Sequence, residues 1–159
     1  MAVFDLKNAT VKIKDGTGTP KSFSVRLAEG QLTFKESKAF DYLMNRGKLD
    51  KVIQGDDVPL EASLTGRWEF IKGDSADTFV GALKGTNTSW VSTDADTCAP
   101  YACDIEIEFT PTCSTEKIET ILLPDFRAES FDYNASDRSI STSGRCNVTE
   151  ATITRTAQV

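Results

Sequence analysis

Cys103-Asp104-Ile105-Glu106-Ile107-Glu108-Phe109 alternates apolar and acidic side chains without a break. A period of two puts Ile105, Ile107 and Phe109 on one face of an extended segment and Asp104, Glu106 and Glu108 on the other, which is the pattern of a half-buried β-strand. Upstream, residues 10–14 set Val11 and Ile13 against Lys12 and Lys14 and end in the turn Asp15-Gly16-Thr17-Gly18-Thr19-Pro20. Residues 22–27 alternate again through Phe23, Val25 and Leu27, so the first two strands are expected to form a hairpin, with Gly30 breaking the second. Residues 61–70 turn Ala62, Leu64, Gly66, Trp68 and Phe70 one way, which predicts Trp68 in the core, and Glu61, Ser63, Thr65, Arg67 and Glu69 the other. Gly73-Asp74-Ser75 can cap a helix running to Lys84, with Phe79, Val80 and Leu83 on one face and Gly85 as its stop. Residues 117–123, 126–133, 138–146 and 150–156 read as further strands, separated by Pro124-Asp125, by Asn134-Ala135-Ser136-Asp137 and by a turn near Asn147. About eight strands with one helix predict a mainly β fold, two packed antiparallel sheets in a sandwich or barrel flanked by one short α-helix.

One stretch does not fit a compact sandwich. The alternation of Leu32 and Phe34 continues less cleanly through Phe40, Tyr42 and Met44 to a turn at Asn45-Arg46-Gly47. Two readings stay open: an extended strand arm, or a short helix capped by Ser37, stopped at Gly47 and carrying Phe40, Leu43 and Met44 on one side. Residues 48–59 are charged and turn-rich. The whole stretch is too charged for a core yet holds several large apolar side chains. Loops beyond about 12–15 residues are uncommon unless they bind something, so it asks for a partner.

Composition removes several function classes. The chain has 159 residues, enough for a single domain over 1–159, and 18 basic against 24 acidic side chains give a net charge of −6, the wrong sign for holding phosphates. With no histidine, Ser-His-Asp and Cys-His nucleophile systems and imidazole metal sites are absent. Gly16-Thr17-Gly18 lacks the lysine and helix of a phosphate loop, and Asp94-Ala95-Asp96 lacks the glycine and terminal glutamate of a calcium loop. Glu106 and Glu108 share one strand face rather than opposing each other across a cleft. No enzyme, cofactor or metal is expected. No apolar run approaches the roughly 18 residues of a membrane span and the start has no basic leader, which predicts no membrane partner and folding in the cytosol, where the Asn-x-Ser/Thr triplets have nothing to act on.

Cys98, Cys103, Cys113 and Cys146 have spacings C-x4-C-x9-C-x32-C, which fit no paired zinc-knuckle pattern. Three readings stay open: buried thiols serving as small hydrophobes, disulfides among the four formed after release from the cell, or a four-thiolate metal or iron–sulfur site.

Taken in order and spacing, four pieces resemble one family: the opening residues 1–13; Arg46-Gly47-Lys48-Leu49-Asp50 with Gly55-Asp56-Asp57-Val58-Pro59; Ala82-Leu83-Lys84-Gly85-Thr86; and Leu123-Pro124-Asp125-Phe126-Arg127 with Ser143-Gly144-Arg145-Cys146-Asn147. Together they are similar to the tail tube (major tail) proteins of long-tailed bacteriophages, a likeness running over almost the whole chain. Residues 98–113 depart from it. The resemblance implies a structural virion protein of the phage tail that assembles in the host cytoplasm. Its homohexameric rings would stack, with strands on either side of the arm and another strand pair joining those of neighbours into a barrel of about 24 strands. Genomic double-stranded DNA would pass down the lumen without specific binding, and the tail tip or initiator, tape measure and terminator would be further partners.

On that reading the arm, about 38–60, carries the inter-ring contacts through Phe40, Tyr42, Leu43, Met44, Arg46, Leu49, Val52 and Ile53; folding back on its own core is the other possibility. Glu61, Glu69, Asp104, Glu106 and Glu108 are candidates for a lumen wall that repels phosphates, or belong to ordinary solvated sheet faces. Two rivals remain. One is a non-catalytic carbohydrate- or receptor-binding sandwich with Trp68, Trp90 and Tyr101 as its platform; the other is a tail terminator or connector ring of related fold.

Overall fold

The computed structural model describes residues 3, 5–68 and 77–159, with 28–31 described by their backbone alone. Among these residues the chain is mainly β, with ten strands, one short α-helix and a 3-10 turn at Leu6–Asn8. Strands β1 (Ala9–Lys14) and β2 (Ser22–Ser24) pair as the expected hairpin. Its loop is gathered on the buried Asp15 carboxylate, which accepts the Lys21 N–H at 2.6 Å, the Thr17 hydroxyl at 2.9 Å and the Val91 N–H at 3.3 Å. The backbone then leaves β1, and β3 (Leu27–Lys35) pairs instead with β6 (Glu61–Arg67). Gly30 does not end the strand as expected; it lies in a stretch where the register shifts between Leu27 and Leu32.

Strand β7 (Cys103–Phe109) takes the bounds that its alternation predicts, with Cys103, Ile105, Ile107 and Phe109 buried. It lies between β1 and β8 (Ile118–Asn134). The two strands expected at 117–123 and 126–133 are one. Pro124-Asp125 makes a bulge, where the missing proline N–H breaks no ladder bond. Asp125 takes φ 52° there and gives its N–H to the Asp104 carboxylate at 3.0 Å. This bend lets one strand serve two flanks. Before it, β8 pairs with β7 and β10 (Thr152–Thr156); after it, β8 pairs with β9 (Ser139–Cys146), which leads on to β6 and β3.

Both flanks turn their apolar faces to one core: Val11, Ile13, Ile105 and Ile107 from one side, Ala62, Leu64 and Ile140 from the other, with Leu123 and Phe126 at the bend. Helix α1 (Phe79–Lys84) adds Phe79, Ala82 and Leu83. Thr78 caps it through its hydroxyl, and Gly85 ends it at φ 74°, where a Cβ would lie 2.5 Å from the Tyr101 ring. The expected capping residues Gly73-Asp74-Ser75, with Phe70, lie outside the described residues. A second antiparallel sheet consists of β4 (Phe40–Asn45) and β5 (Lys48–Gln54) alone. The helical alternative for this stretch is therefore excluded, and the first half of the expected turn-rich segment is a strand.

Candidate assembly surfaces

The β4–β5 hairpin closes through Arg46 at φ 52° and Gly47 at φ 79°, the two positive angles of a tight turn that matches strand twist. Its cross-strand pairs sort its side chains. Phe40 faces Gln54, Tyr42 faces Val52 and Met44 faces Leu49, with Asp50 bulged between. Because paired residues share a face, Phe40, Tyr42, Met44, Leu49 and Val52 form one apolar surface, and Asp41, Leu43, Asn45, Lys48, Lys51 and Ile53 form the other. Every residue of both strands is exposed, and the seven large apolar side chains are each 44–65% accessible. The hairpin is anchored at its root, where the Gly55 N–H meets the Ala39 carbonyl at 2.8 Å, Lys38 pairs with Glu150 at 3.0 Å and Glu36 accepts the Ala151 N–H at 2.9 Å. It does not fold back on the core.

The half-sheet β3–β6–β9–β8 has long open edges. Among the described residues β3 pairs only with β6, and residues 127–134 of β8 pair only with β9. The edge strands of the other flank, β2 and β10, are three and five residues long. The outer face of this half-sheet is a field of hydroxyls joined across strands: Thr33 to Ser63 at 2.7 Å, Thr65 to Ser141 at 3.1 Å and Ser130 to Ser143 at 2.6 Å. Glu61 lies on it, with Glu129, beside Arg145 at 4.0 and 3.8 Å.

Asp104, Glu106 and Glu108 lie elsewhere, on the outer face of β7 in the opposite flank. The acidic candidates are therefore not brought onto one surface, and Glu69 is outside the described residues. Nor is the β7 row unopposed. Lys12 stands across from Glu106 and Lys14 across from Asp104, and the Lys14 ammonium pairs with Glu106. Burial raises the Asp104 carboxyl above its ordinary value, outweighing the Asp125 N–H that hydrogen-bonds to it.

The aromatic platform does not form. Trp90 is buried, its indole donating to Asp77 at 3.2 Å, and the half-buried Tyr101 donates its hydroxyl to the Ala82 carbonyl at 3.0 Å. Trp68 is 44% exposed, because β6 ends at Arg67 and the ring swings out to lie 5.5 Å from that of Tyr133. It borders a groove of about 580 Å³ walled by Phe23, Val25, Phe79 and Ile140 and rimmed by Arg26, Arg67 and Arg138. Neither the groove nor the two-faced hairpin is legible beforehand, since both depend on strand register; the exposed apolar residues themselves are.

All four cysteines are free thiols. Cys103 and Cys146 both stand in register with Phe126 from opposite sides, two strand spacings or about 9.5 Å apart, beyond the roughly 7 Å a disulfide spans. Burial raises both thiols, Cys146 to about 12. Cys98 and Cys113 are exposed, and the Thr115 hydroxyl 3.0 Å from Cys113 holds that thiol below its ordinary value.

No family model matches the sequence, and no curated protein matches it. Among solved structures, the fold matches a chain of the cryo-EM structure of an extracellular contractile injection system, the PVC sheath/tube terminator in its extended state. The match covers 97% of this chain and 98% of that one, at a TM-score of 0.56 and 9% sequence identity. At that identity the likeness is one of fold.

Proposed function

We propose that this chain is a structural subunit of a phage-like tail tube, built to associate with copies of itself rather than to catalyse. The observation that carries the reading is the β4–β5 hairpin: it is fully exposed yet presents a continuous apolar face, which a monomer would not sustain without something to cover it. The open edges of β3 and of β8 after its bend support the same reading. They differ in sequence, so copies joining through them meet heterologously, and such contacts close into a ring when the rotation permits. Four strands per copy in a hexamer make a barrel of about 24. The core and helix cover one side of that half-sheet, so the hydroxyl face is the one left for the lumen. Glu61 would line it and the β7 acids would not. Double-stranded DNA would pass along a surface of satisfied hydroxyls and paired charges. The fold-level likeness to a sheath/tube terminator structure keeps a second reading, a ring that ends a tube rather than building it. The other tail proteins and the virion tail are the partners and location this role implies.

Negative-stain electron microscopy with sedimentation across a concentration series tests the reading. Stacked hollow tubes support the tube subunit, and single rings that never stack favour the terminator. A strict monomer at all concentrations, with or without added tail components, overturns both.

A further inference from the structure

Strand β8 serves both flanks because it bends at Pro124-Asp125, and the outer side of that bend is held by polar groups from β7 and from the segment before it. The Asp125 N–H, turned by its φ of 52°, reaches the Asp104 carboxyl of β7 at 3.0 Å. Thr93, fastened by its own N–H to the Ala102 carbonyl at 3.0 Å, donates its hydroxyl to the Asp125 carboxylate at 2.7 Å. The same hydroxyl also interacts with the Asp104 carboxyl. Just past the bend, Arg127 pairs with Asp94 and donates to the Pro100 carbonyl at 3.1 Å. Two half-buried carboxyl groups therefore meet one hydroxyl at the hinge between the two flanks.

A hydroxyl has one proton to give and lone pairs that accept. Thr93 gives its proton to Asp125, so Asp104 completes the chain by donating to the Thr93 oxygen, which requires it to be protonated. The surrounding charges agree. Lys14 of β1 stands opposite Asp104 in register, but its ammonium lies on Glu106, the next acid along that face of β7. On β8 the Arg127 guanidinium is held by Asp94, leaving the Asp125 carboxylate as the charge beside Asp104. From β9 comes the Cys146 thiol, which burial keeps neutral. We propose that Asp104, Thr93 and Asp125 form a proton-operated lock on the bend of β8: in mild acid Asp104 takes a proton from water and closes the chain, and at higher pH it releases the proton and loosens the bend. Burial disfavours the Asp104 charge, the Asp125 N–H opposes that, and the Asp125 carboxylate adds to burial, with the net effect of holding the carboxyl above its ordinary 3.8. A carboxyl held above its unfolded value contributes stability that is fully present below that value and is lost as pH rises through the folded one. The lock acts within one copy and needs no assembly.

Amide hydrogen exchange read by mass spectrometry over residues 123–127, corrected for the intrinsic rate, tests the lock between about pH 7 and about pH 4. Protection of the bend relative to β6 should rise as pH falls, by up to about tenfold for each unit separating the Asp104 carboxyl in the locked and the open bend. Asp104→Asn keeps an oxygen for the Asp125 N–H and an N–H for Thr93 but cannot ionise. It should show the parent's acid-level protection already at neutral pH, with a flat profile. Thr93→Val, which breaks the chain, should flatten the profile at the parent's lower, neutral level. A flat profile in the parent, or a rise shared equally by β6, overturns the lock. An Asp104→Asn protein that keeps the parent's pH dependence, or that is loosened at every pH, overturns it as well, since the proton would then sit elsewhere or the ionised carboxylate would be the group that holds the bend.

Discussion

The Lys14 ammonium lies against the Glu106 carboxylate across the β1–β7 ladder, so the acidic row of β7 is met by a basic row on its neighbour. Both side chains keep some contact with water, at 30% and 20% exposure, which screens the pair. A double-mutant cycle of Lys14→Met and Glu106→Gln, read by urea unfolding, should give a coupling of about 1 kcal/mol or less, falling further in high salt. A larger, salt-independent coupling would mean that this face is dry in the folded protein.

Asp15 should set much of the acid sensitivity. Burial pulls its carboxyl up, but N–H donors from Lys21, Val91 and Thr17 and the Thr17 hydroxyl together outweigh that and hold it below its ordinary 3.8. A depressed carboxyl contributes stability that is fully present above the unfolded value and is lost as pH falls through the folded one. Asp15→Asn should cost about 1–3 kcal/mol at neutral pH and flatten the loss of stability below about pH 4. Parallel acid limbs for the two proteins would assign that loss to other groups.

The alternating strands are the part of this molecule most legible in sequence, and the reason is burial on one face only. Residues 103–109 read correctly because every second side chain enters the core, and Gly85 marked the helix end because only a glycine fits beside Tyr101 at that backbone angle. β5 was hidden: neither of its faces enters the core, and the Asp50 bulge breaks its period. Pro124 suggested a turn because its missing N–H excludes most strand positions, though not a bulge. The partnership of Lys12 and Lys14 with the β7 acids joins residues some 90 positions apart through strand order, which periodicity does not encode. The candidate contact residues were legible as large apolar side chains in a charged segment, whereas their division between two faces required the register.

Gly144 marks a close approach of β9 to β8. A Cβ there would lie 2.0 Å from the Arg127 carbonyl oxygen, and backbone cannot swing aside as a flexible side chain can. Gly144→Ala should therefore cost more than about 2 kcal/mol and lower the thermal midpoint by several degrees, as differential scanning calorimetry would record. A variant within about 0.5 kcal/mol of the parent would contradict the β8–β9 register at this point.

Thiol reactivity reads the fold directly. Cys113, exposed and held toward the thiolate by Thr115, should react first with an aromatic disulfide reagent, followed by Cys98. Cys103 and Cys146, buried and raised, should react only after denaturation. Four fast thiols in the native protein would contradict the placement of the latter pair beside Phe126.

The two faces of the hairpin give assembly a prediction that mere exposure does not. Met44 and Leu43 are neighbours in sequence, both are exposed and both are apolar, yet they point to opposite sides of β4. If the Phe40–Tyr42–Met44–Leu49–Val52 face is the one buried between copies, Met44→Asp removes roughly 2–3 kcal/mol of apolar burial and should raise the concentration needed for assembly about 30- to 100-fold or more. Leu43→Asp, on the side that carries Asp41, Lys48 and Lys51, should shift it far less. Neither side chain supports the core, so both monomers should unfold within about 0.5 kcal/mol of the parent, and deletion of residues 38–58 should leave a folded protein that forms no tubes. Sedimentation across a dilution series separates the outcomes: equal shifts for positions 43 and 44 would mean that the hairpin is wrapped on both sides, and no shift for either would remove it from the contact altogether.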